Sequence, residues 1–394
     1  MQRPDYPVVD SDNHYYETRD CFTRHIESRF RDRTVRVEPG PGSDEVVRVG
    51  DHLWNFMDPK WDKTNPPGSL KEIVRQKGNV EWKDSYTREH MLPAYKDRDA
   101  RVALLDEQGV EAAVLFPTFG VTVENLMLDD VELSYASLRS FNRWLVDDWG
   151  WAYQGRLFSA ALLSLLDCEE AVRELDRVLA EGARVIHLRP GPAAGRSPAD
   201  PHYDPFWARV EEAGVPVAFH ISESGYNELF AGAWGESVNP SVREQSAFQW
   251  AVFHGDRPIM DTLTALIFHN LFGRFPGLRV MSVENGSGWV SYLLSNMDKK
   301  KGMGRFGPWI GGRPVGRPSD TFRQHVFVSP YPEDDVPALV EALGAERVIF
   351  GSDHPHPEGL ADPLAFATLL EGVPTAQVRQ VMRENGASLL GLDA

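Results

Sequence analysis

The sequence has little with which to build a cross-linked or membrane-embedded protein. Its 394 residues contain two cysteines, Cys21 and Cys168. Two cannot form a disulfide framework, so packing must hold the fold, and a reducing cytoplasm is the expected compartment. No run of about 18 apolar residues occurs, so no transmembrane helix is expected. The opening MQRPDYPVVD lacks the apolar core of a secretory signal. Positive charge is also scarce: 41 Lys and Arg stand against 58 Asp and Glu, a formal net charge of -17. That balance argues against nucleic acid or an anionic membrane as the main partner, because both need clustered cations. It leaves room for small anionic substrates, since one buried arginine can decide a pocket. Low-complexity tracts and repeats of solenoid period are absent as well.

What the chain does have is a rhythm. Eight short apolar runs read as strands: Val8–Asp12, Ala112–Pro117, Phe158–Leu163, Arg184–Leu188, Val215–His220, Leu278–Val283, Val326–Ser329 and Val348–Asp353. Between them lie helical patterns at Val131–Tyr153, Cys168–Glu181, Pro205–Ala213, Met260–Phe275, Gly288–Lys299, Asp334–Leu343 and Pro363–Leu370. Short runs with little polar alternation suit parallel strands buried on both faces. Eight such units predict a distorted (β/α)8 TIM barrel formed by one domain, residues 1–394. Residues 18–98 break the rhythm with a hairpin-like stretch and the run DPKWDKTNPPGSLKE, and are expected to be an insertion capping the barrel mouth. Gly302–Phe322, rich in Gly and Pro, is expected to be an ordered loop before strand seven.

The expected strand ends carry the chemistry. Strand one runs into Asp12 and His14, strand four into His187 and Arg189, and strand five into His220. Strand six gives Glu284 and Asn285, and strand eight gives Asp353, with His354 and His356 beyond. In a parallel barrel these ends share one face. Asp12 and His14 are two apart, so a strand points both the same way. Any one of these residues alone would read as a cap, a turn former or a satisfied polar group. Two imidazoles and two carboxylates converging from strands one, five and eight instead read as ligands for one divalent ion. Zn²⁺ is the first expectation, with Mn²⁺ or Fe²⁺ also suited to mixed N/O ligation. Asp10 is expected to support the site rather than ligate.

VDSDNH, VAFHIS, LRVMSVENGSGWV and RVIFGSDHPHPEG, taken in order, resemble the amidohydrolase-related family. Within it they are most similar to the branch of aminocarboxymuconate-semialdehyde decarboxylase and related aromatic-acid decarboxylases. The resemblance spans Val8 to about Leu390 and implies a divalent metal at the mouth of a distorted barrel. It maps the ligands onto Asp12, His14, His220 and Asp353. The carboxylated lysine of binuclear relatives would fall near His187, where RVIHLRPG has no lysine, so one metal is implied. Well-studied decarboxylases of the branch carry a histidine where this chain has Glu284, which opens two roles for Glu284, base or ligand.

The leading expectation is a metal-dependent enzyme acting on a small carboxylated or carbonyl substrate, by non-oxidative decarboxylation on the strength of the resemblance. Hydrolysis of a C–N, C–O or activated C–C bond by metal-bound water is the alternative, and an inactive barrel acting as a binding protein is the third. Glu284 or Asp353 moves the proton. Arg189 either pairs with a substrate carboxylate or forms a structural salt bridge. His187, His254 and His356 are supporting candidates, and Tyr16, Glu17, Trp54 and Asn285 are candidates to line the pocket. The resemblance also implies a homo-oligomer, expected to be a dimer.

Overall fold

The computed structural model describes residues 4–40, 45–57, 60–70, 88–241 and 244–392. Seven parallel strands run in sequential order around a curled sheet. They are β1 (Val8–Tyr15), β2 (Val110–Pro117), β3 (Leu157–Leu162), β4 (Val185–His187), β5 (Val217–His220), β6 (Val280–Val283) and β7 (Val326–Val328). The helices between them that matter here are α1 (Arg98–Gln108), α2 (Val131–Asp148), α3 (Cys168–Ala180), α4 (Asp204–Ala213), α5 (Asp256–Phe268), α6 (Val290–Met303), α7 (Pro318–His325) and α8 (Val336–Leu343). The architecture is a distorted TIM-type barrel.

Alternation along the strands separates two buried layers. In β2, Ala112, Val114 and Phe116 fill the barrel with Val9, Phe158, Val185, Met281 and Ile349. Ala113 and Leu115 pack outward with the helices. Helix starts follow local polar chemistry. Asp97, Asp130 and Asp167 each accept a hydrogen bond from a first-turn N–H of α1, α2 and α3. This satisfies donors that the helix itself leaves unpaired.

The eighth run differs from expectation. Residues 348–353 close the barrel without forming a regular strand. Val348 bridges Val328, Ile349 N–H donates to Val328 O, and Ser11 N–H donates to Phe350 O. On the other side of the seam, the N–H groups of Ser352 and Asp353 both turn onto Asp12 O. Two successive donors on one acceptor interrupt the ladder, which resumes only as a bridge between Asn13 and His354.

Other boundaries also moved. The helix expected over Val131–Tyr153 stops at Asp148, because Gly150 takes φ +76° and Ala152–Tyr153 folds back antiparallel on β3. The helix expected over Met260–Phe275 breaks at Asn270, whose φ is +55°. Pro363–Leu370 is a 3-10 helix. Helix α1 has only a weak apolar signal in sequence, with Leu105 its one buried apolar residue. Within residues 18–98, the hairpin-like stretch forms a three-stranded antiparallel sheet (Arg36–Pro39, Glu45–Val49, His52–Trp54), and Lys63–Thr64 pairs with Glu89–His90. Residues 71–87 lie outside those described.

Candidate metal centre

Strand one reaches the site through an irregularity. Its register against β2 slips between Asp10 and Asn13. Buried Asp10 holds the slip: it accepts from Asp12 N–H at 3.2 Å, Asn13 Nδ2 at 2.9 Å, Ser352 N–H at 3.0 Å and Ser352 Oγ at 2.5 Å. Burial raises the Asp10 carboxyl to about 6. Fully buried Arg101 donates to Asn13 Oδ1 and to Ala94 O, tying α1 to the same knot. Asp10 therefore fastens strand one to the eighth segment, and Asp12 and His14 both reach the barrel mouth.

Four side chains converge there. His14 Nε2 lies 3.3 Å from Asp12 Oδ1, 3.5 Å from Glu284 Oε2 and 3.3 Å from His220 Nε2. His220 Nε2 lies 3.6 Å from Asp12 Oδ1 and 3.0 Å from Glu284 Oε2. Asp353 Oδ1 joins at 3.3 Å from His14 Nε2. Bonds of 2.0–2.2 Å to one ion put neighbouring tetrahedral or octahedral ligand atoms about 3.0–3.5 Å apart, so this spacing fits a single divalent cation. Two further observations fit it. Asp12 Oδ1 and Asp353 Oδ1 are buried and accept no hydrogen bond. His220 Nδ1 donates to Ile221 O at 2.9 Å, which leaves the Nε2 lone pair facing the ring.

The electrostatics show what such a cation would balance. Burial opposes charge on His220, yet Asp12 and Glu284 outweigh it and push its pKa up to about 10. His14 is raised in the same way. Burial alone would raise Glu284, but the two imidazoles hold it below the usual carboxylate range. Burial, then the charges of Glu284, Glu358 and Asp12, drive Asp353 well above that range. Glu284 and Asp353 also share a backbone feature: their φ angles are +53° and +54°, a left-handed conformation that costs a non-glycine residue about 1–2 kcal/mol. Strain of this kind concentrates where a side chain must be aimed.

The remaining sequence candidates fall into two groups. His356 is at the site. Its Nδ1 is 2.6 Å from Asp353 Oδ1, and its Nε2 is 3.0 Å from Thr118 Oγ1. Thr118 spends its own proton on Tyr15 O, so His356 Nε2 must donate and Nδ1 faces Asp353 as an acceptor. Tyr16 stacks edge-on to His356 and bonds Thr64 through its hydroxyl. The others are engaged elsewhere. Arg189 donates to the carbonyls of Ser224 and Pro192. Asn285 Nδ2 donates to Phe219 O and Val283 O, joining β5 to β6. His187 sits behind His220, where burial lowers it to about 3. His254 stacks on Trp250 and Phe56, Trp54 bonds Thr122, and Glu17 accepts from the N–H groups of Phe119 and Gly120.

Sequence reasoning missed the wall opposite. Tyr331, Asp353, Glu358, Pro330 and Pro332 border a cavity of about 230 Å³ beside Asp12 and Glu284. The Tyr331 hydroxyl donates to Glu284 O at 2.8 Å. SPYPEDD directly after strand seven was the available signal, an aromatic residue and acids at a strand's C-terminal end.

Carboxylates and imidazoles gathered at the C-terminal ends of parallel barrel strands form a candidate metal site where enzymes of this barrel class place their chemistry. A family model described as amidohydrolase matches residues 51–392, and the chain belongs to that family. An amidohydrolase from Mycobacterium avium subsp. paratuberculosis K-10 is 38% identical, with a TM-score of 0.89 over 98% of this chain and 100% of its own. The fold is also shared with 5-carboxyvanillate decarboxylase from Novosphingobium aromaticivorans (16% identical, TM-score 0.64, 98% of this chain and 96% of that one). A dihydroxybenzoic acid decarboxylase from Polaromonas sp. JS666 is likewise 16% identical, with a TM-score of 0.60 over 99% of this chain and 98% of its own. No curated protein sequence matches the chain.

Proposed function

We propose that the protein is a mononuclear metal-dependent lyase that decarboxylates a small aromatic carboxylate without an oxidant. The observation that carries the reading is the ring formed by Asp12 Oδ1, His14 Nε2, His220 Nε2 and Glu284 Oε2, with Asp353 beside it. These residues would hold one divalent ion, Zn²⁺ first, with Mn²⁺ and Fe²⁺ as alternatives. The Novosphingobium and Polaromonas decarboxylases were both solved with manganese and an aromatic ligand. A bound divalent ion would supply Lewis-acid polarisation of a substrate oxygen.

The chain's own groups do the rest. The cavity beside the ring is the size of one substituted benzene ring, and Tyr331 with Pro330 and Pro332 gives it an apolar wall. Asp353, beside the ring at 3.3 Å from His14 Nε2 and with its carboxyl pushed upward by burial and the neighbouring carboxylates, is the group that would deliver a proton to the ring carbon as the bond to the carboxylate breaks. The electron pair of the broken C–C bond ends in the new C–H bond, and CO₂ departs. His356 Nδ1, an acceptor 2.6 Å from Asp353 Oδ1, orients the Asp353 carboxyl. The two cysteines are buried and unpaired, in keeping with a reducing cytoplasm.

One observation favours hydrolysis as a second reading. Glu284 is ionised at the ring, where it could act as base toward an attacking water. A product assay with carboxylated phenols separates the two. Stoichiometric CO₂ without ¹⁸O from labelled water in the aromatic product supports the lyase. Entry of ¹⁸O into the product replaces it with the hydrolase.

A further inference from the structure

The cavity beside the metal centre contains a carboxylate that the ligand ring does not use. Glu358 borders it, together with Tyr331, Asp353 and Glu333. The loop that carries it is buried from Asp353 to Gly359 except at Glu358 itself, whose side chain is exposed. Among the described residues no hydrogen bond or salt bridge from another residue engages its carboxylate. Burial raises the Glu358 carboxyl, and the charge of Lys60 lowers it part of the way back.

The loop holds this acceptor in place. Leu70 N–H donates to Pro357 O at 2.8 Å, and Leu360 N–H donates to Ser352 O at 2.9 Å. A Cβ at Gly359 would lie 2.4 Å from Asp353 O and 2.6 Å from Ser352 O, so the chain turns back hard against the ligand segment. Tyr331 is held as firmly. Its hydroxyl donates to Glu284 O at 2.8 Å, its N–H donates to Asp334 Oδ2 at 2.9 Å, and a Cβ at Gly286 would lie 2.9 Å from Cδ2 and Cε2 of its ring. The cavity thus combines a fixed aromatic wall, the ligand carboxylates and one spare acceptor on a fixed loop.

Charge decides what that acceptor selects. None of the described residues bordering the cavity is Lys or Arg. One substrate carboxylate would find its counter-charge in a cation held by the ligand ring. A second carboxylate would meet Glu358 and Glu333, like charges in a space partly withdrawn from water. An O–H or N–H substituent would instead meet a carboxylate with lone pairs to spare, and form a charge-assisted hydrogen bond. Decarboxylation points the same way. Protonating an aromatic carbon draws on electron density, which a hydroxyl or amino substituent supplies, and supplies better when a carboxylate accepts its hydrogen.

We propose that Glu358 is the specificity-determining residue of this cavity: it accepts a hydrogen bond from a hydroxyl or amino substituent of an aromatic monocarboxylate and turns away a second carboxylate. The proposal rests on the cavity being the substrate site of the lyase. Calorimetry on the Zn²⁺-loaded full chain with meta- and para-substituted benzoates reads it without turnover. Hydroxybenzoates should bind about 10- to 100-fold more tightly than the methoxybenzoates that lack the donor, and isophthalate and terephthalate should bind most weakly. Aminobenzoates measured against hydroxybenzoates decide which donor is preferred. In Glu358→Gln the amide can donate to a carboxylate, so isophthalate or terephthalate should bind about 10-fold more tightly than to the wild type, a gain that a misfolded chain cannot produce. Four outcomes overturn the proposal: equal affinity for hydroxy- and methoxybenzoates, a wild type that prefers a dicarboxylate, no gain for either dicarboxylate in Glu358→Gln, or no binding of any of these probes at millimolar concentration. Binding in the expected order without release of CO₂ would support the role of Glu358 and overturn the lyase reading alone.

Discussion

Gly351→Ala is the sharpest test of how the seam supports the metal centre. A Cβ at Gly351 would lie 2.4 Å from Ser329 Oγ and 2.5 Å from Asp12 Cβ, where ordinary contact begins at 3.4 Å. The Ser329 hydroxyl can rotate away. Asp12 Cβ has no rotor that would clear the methyl, so it can yield only by pulling its backbone against the Asp10 knot and the two N–H groups on its carbonyl. Asp12 must therefore retreat by about 0.9 Å, and its carboxylate leaves the ring with it. Disturbing the support of a ligand typically weakens metal binding about 10- to 100-fold. Overpacking costs about 1–3 kcal/mol. In a 394-residue chain, an unfolding entropy of about 2 cal/mol/K per residue makes each kcal/mol worth only about 1 °C. The expectation is thus a large loss of affinity with a small loss of Tm. Competition of apoprotein with a chromophoric chelator for Zn²⁺ and Mn²⁺ measures the first, and thermal circular dichroism the second. Gly302→Ala, where nothing lies within 4 Å of the added methyl, is the control. Wild-type affinity in Gly351→Ala would refute the reasoning, as would a loss of affinity matched by collapse of the fold.

Three further outcomes are expected. His14→Ala or Asp12→Ala should abolish metal retention by elemental analysis while the far-ultraviolet spectrum stays that of a folded barrel. Glu284→Gly removes the strained φ along with the carboxylate, so the apoprotein should melt about 1–2 °C higher and bind metal poorly, read by calorimetry and chelator competition. Glu17 is raised to about 7 by burial, against about 4.3 in the unfolded chain. A raised folded-state value means that its contribution is complete below about pH 4.3 and is lost as pH rises through 7, a swing of about 4 kcal/mol. Urea denaturation at pH 5 and pH 8 should show this slope in the wild type and a flatter one in Glu17→Gln.

Periodicity alone made the barrel legible, since a parallel sheet covered on both faces writes each strand as a short apolar block. The eighth block was legible as closure and not as irregular closure, because the two donors that turn onto Asp12 O leave no trace in residue type. Asp12, His14, His220, Glu284 and Asp353 stood out because polar residues ended otherwise apolar runs. Tyr331 and Glu358 lie past the strand ends in proline-rich turns, where sequence does not say which way a side chain faces. Arg189 was open to two roles in sequence, and its guanidinium lies 3.8 Å from Glu124 Oε2. Its place after strand four invited a substrate role, while the nearby carbonyls of Ser224 and Pro192 are satisfied only in three dimensions.

The knot at Asp10 joins residues 342 positions apart in the chain. A ribosome releases β1 early and the eighth segment near the end of the described chain. Until Ser352 arrives, Asp10 lacks two of its donors and Asp12 lacks the segment that seats it. The candidate site therefore needs residues 348–356, and a nascent chain carrying His14 and His220 without them has no assembled ring in which to trap an ion. A chain ending before Gly351 should emerge with its early strands ordered and its histidines unable to hold a cation.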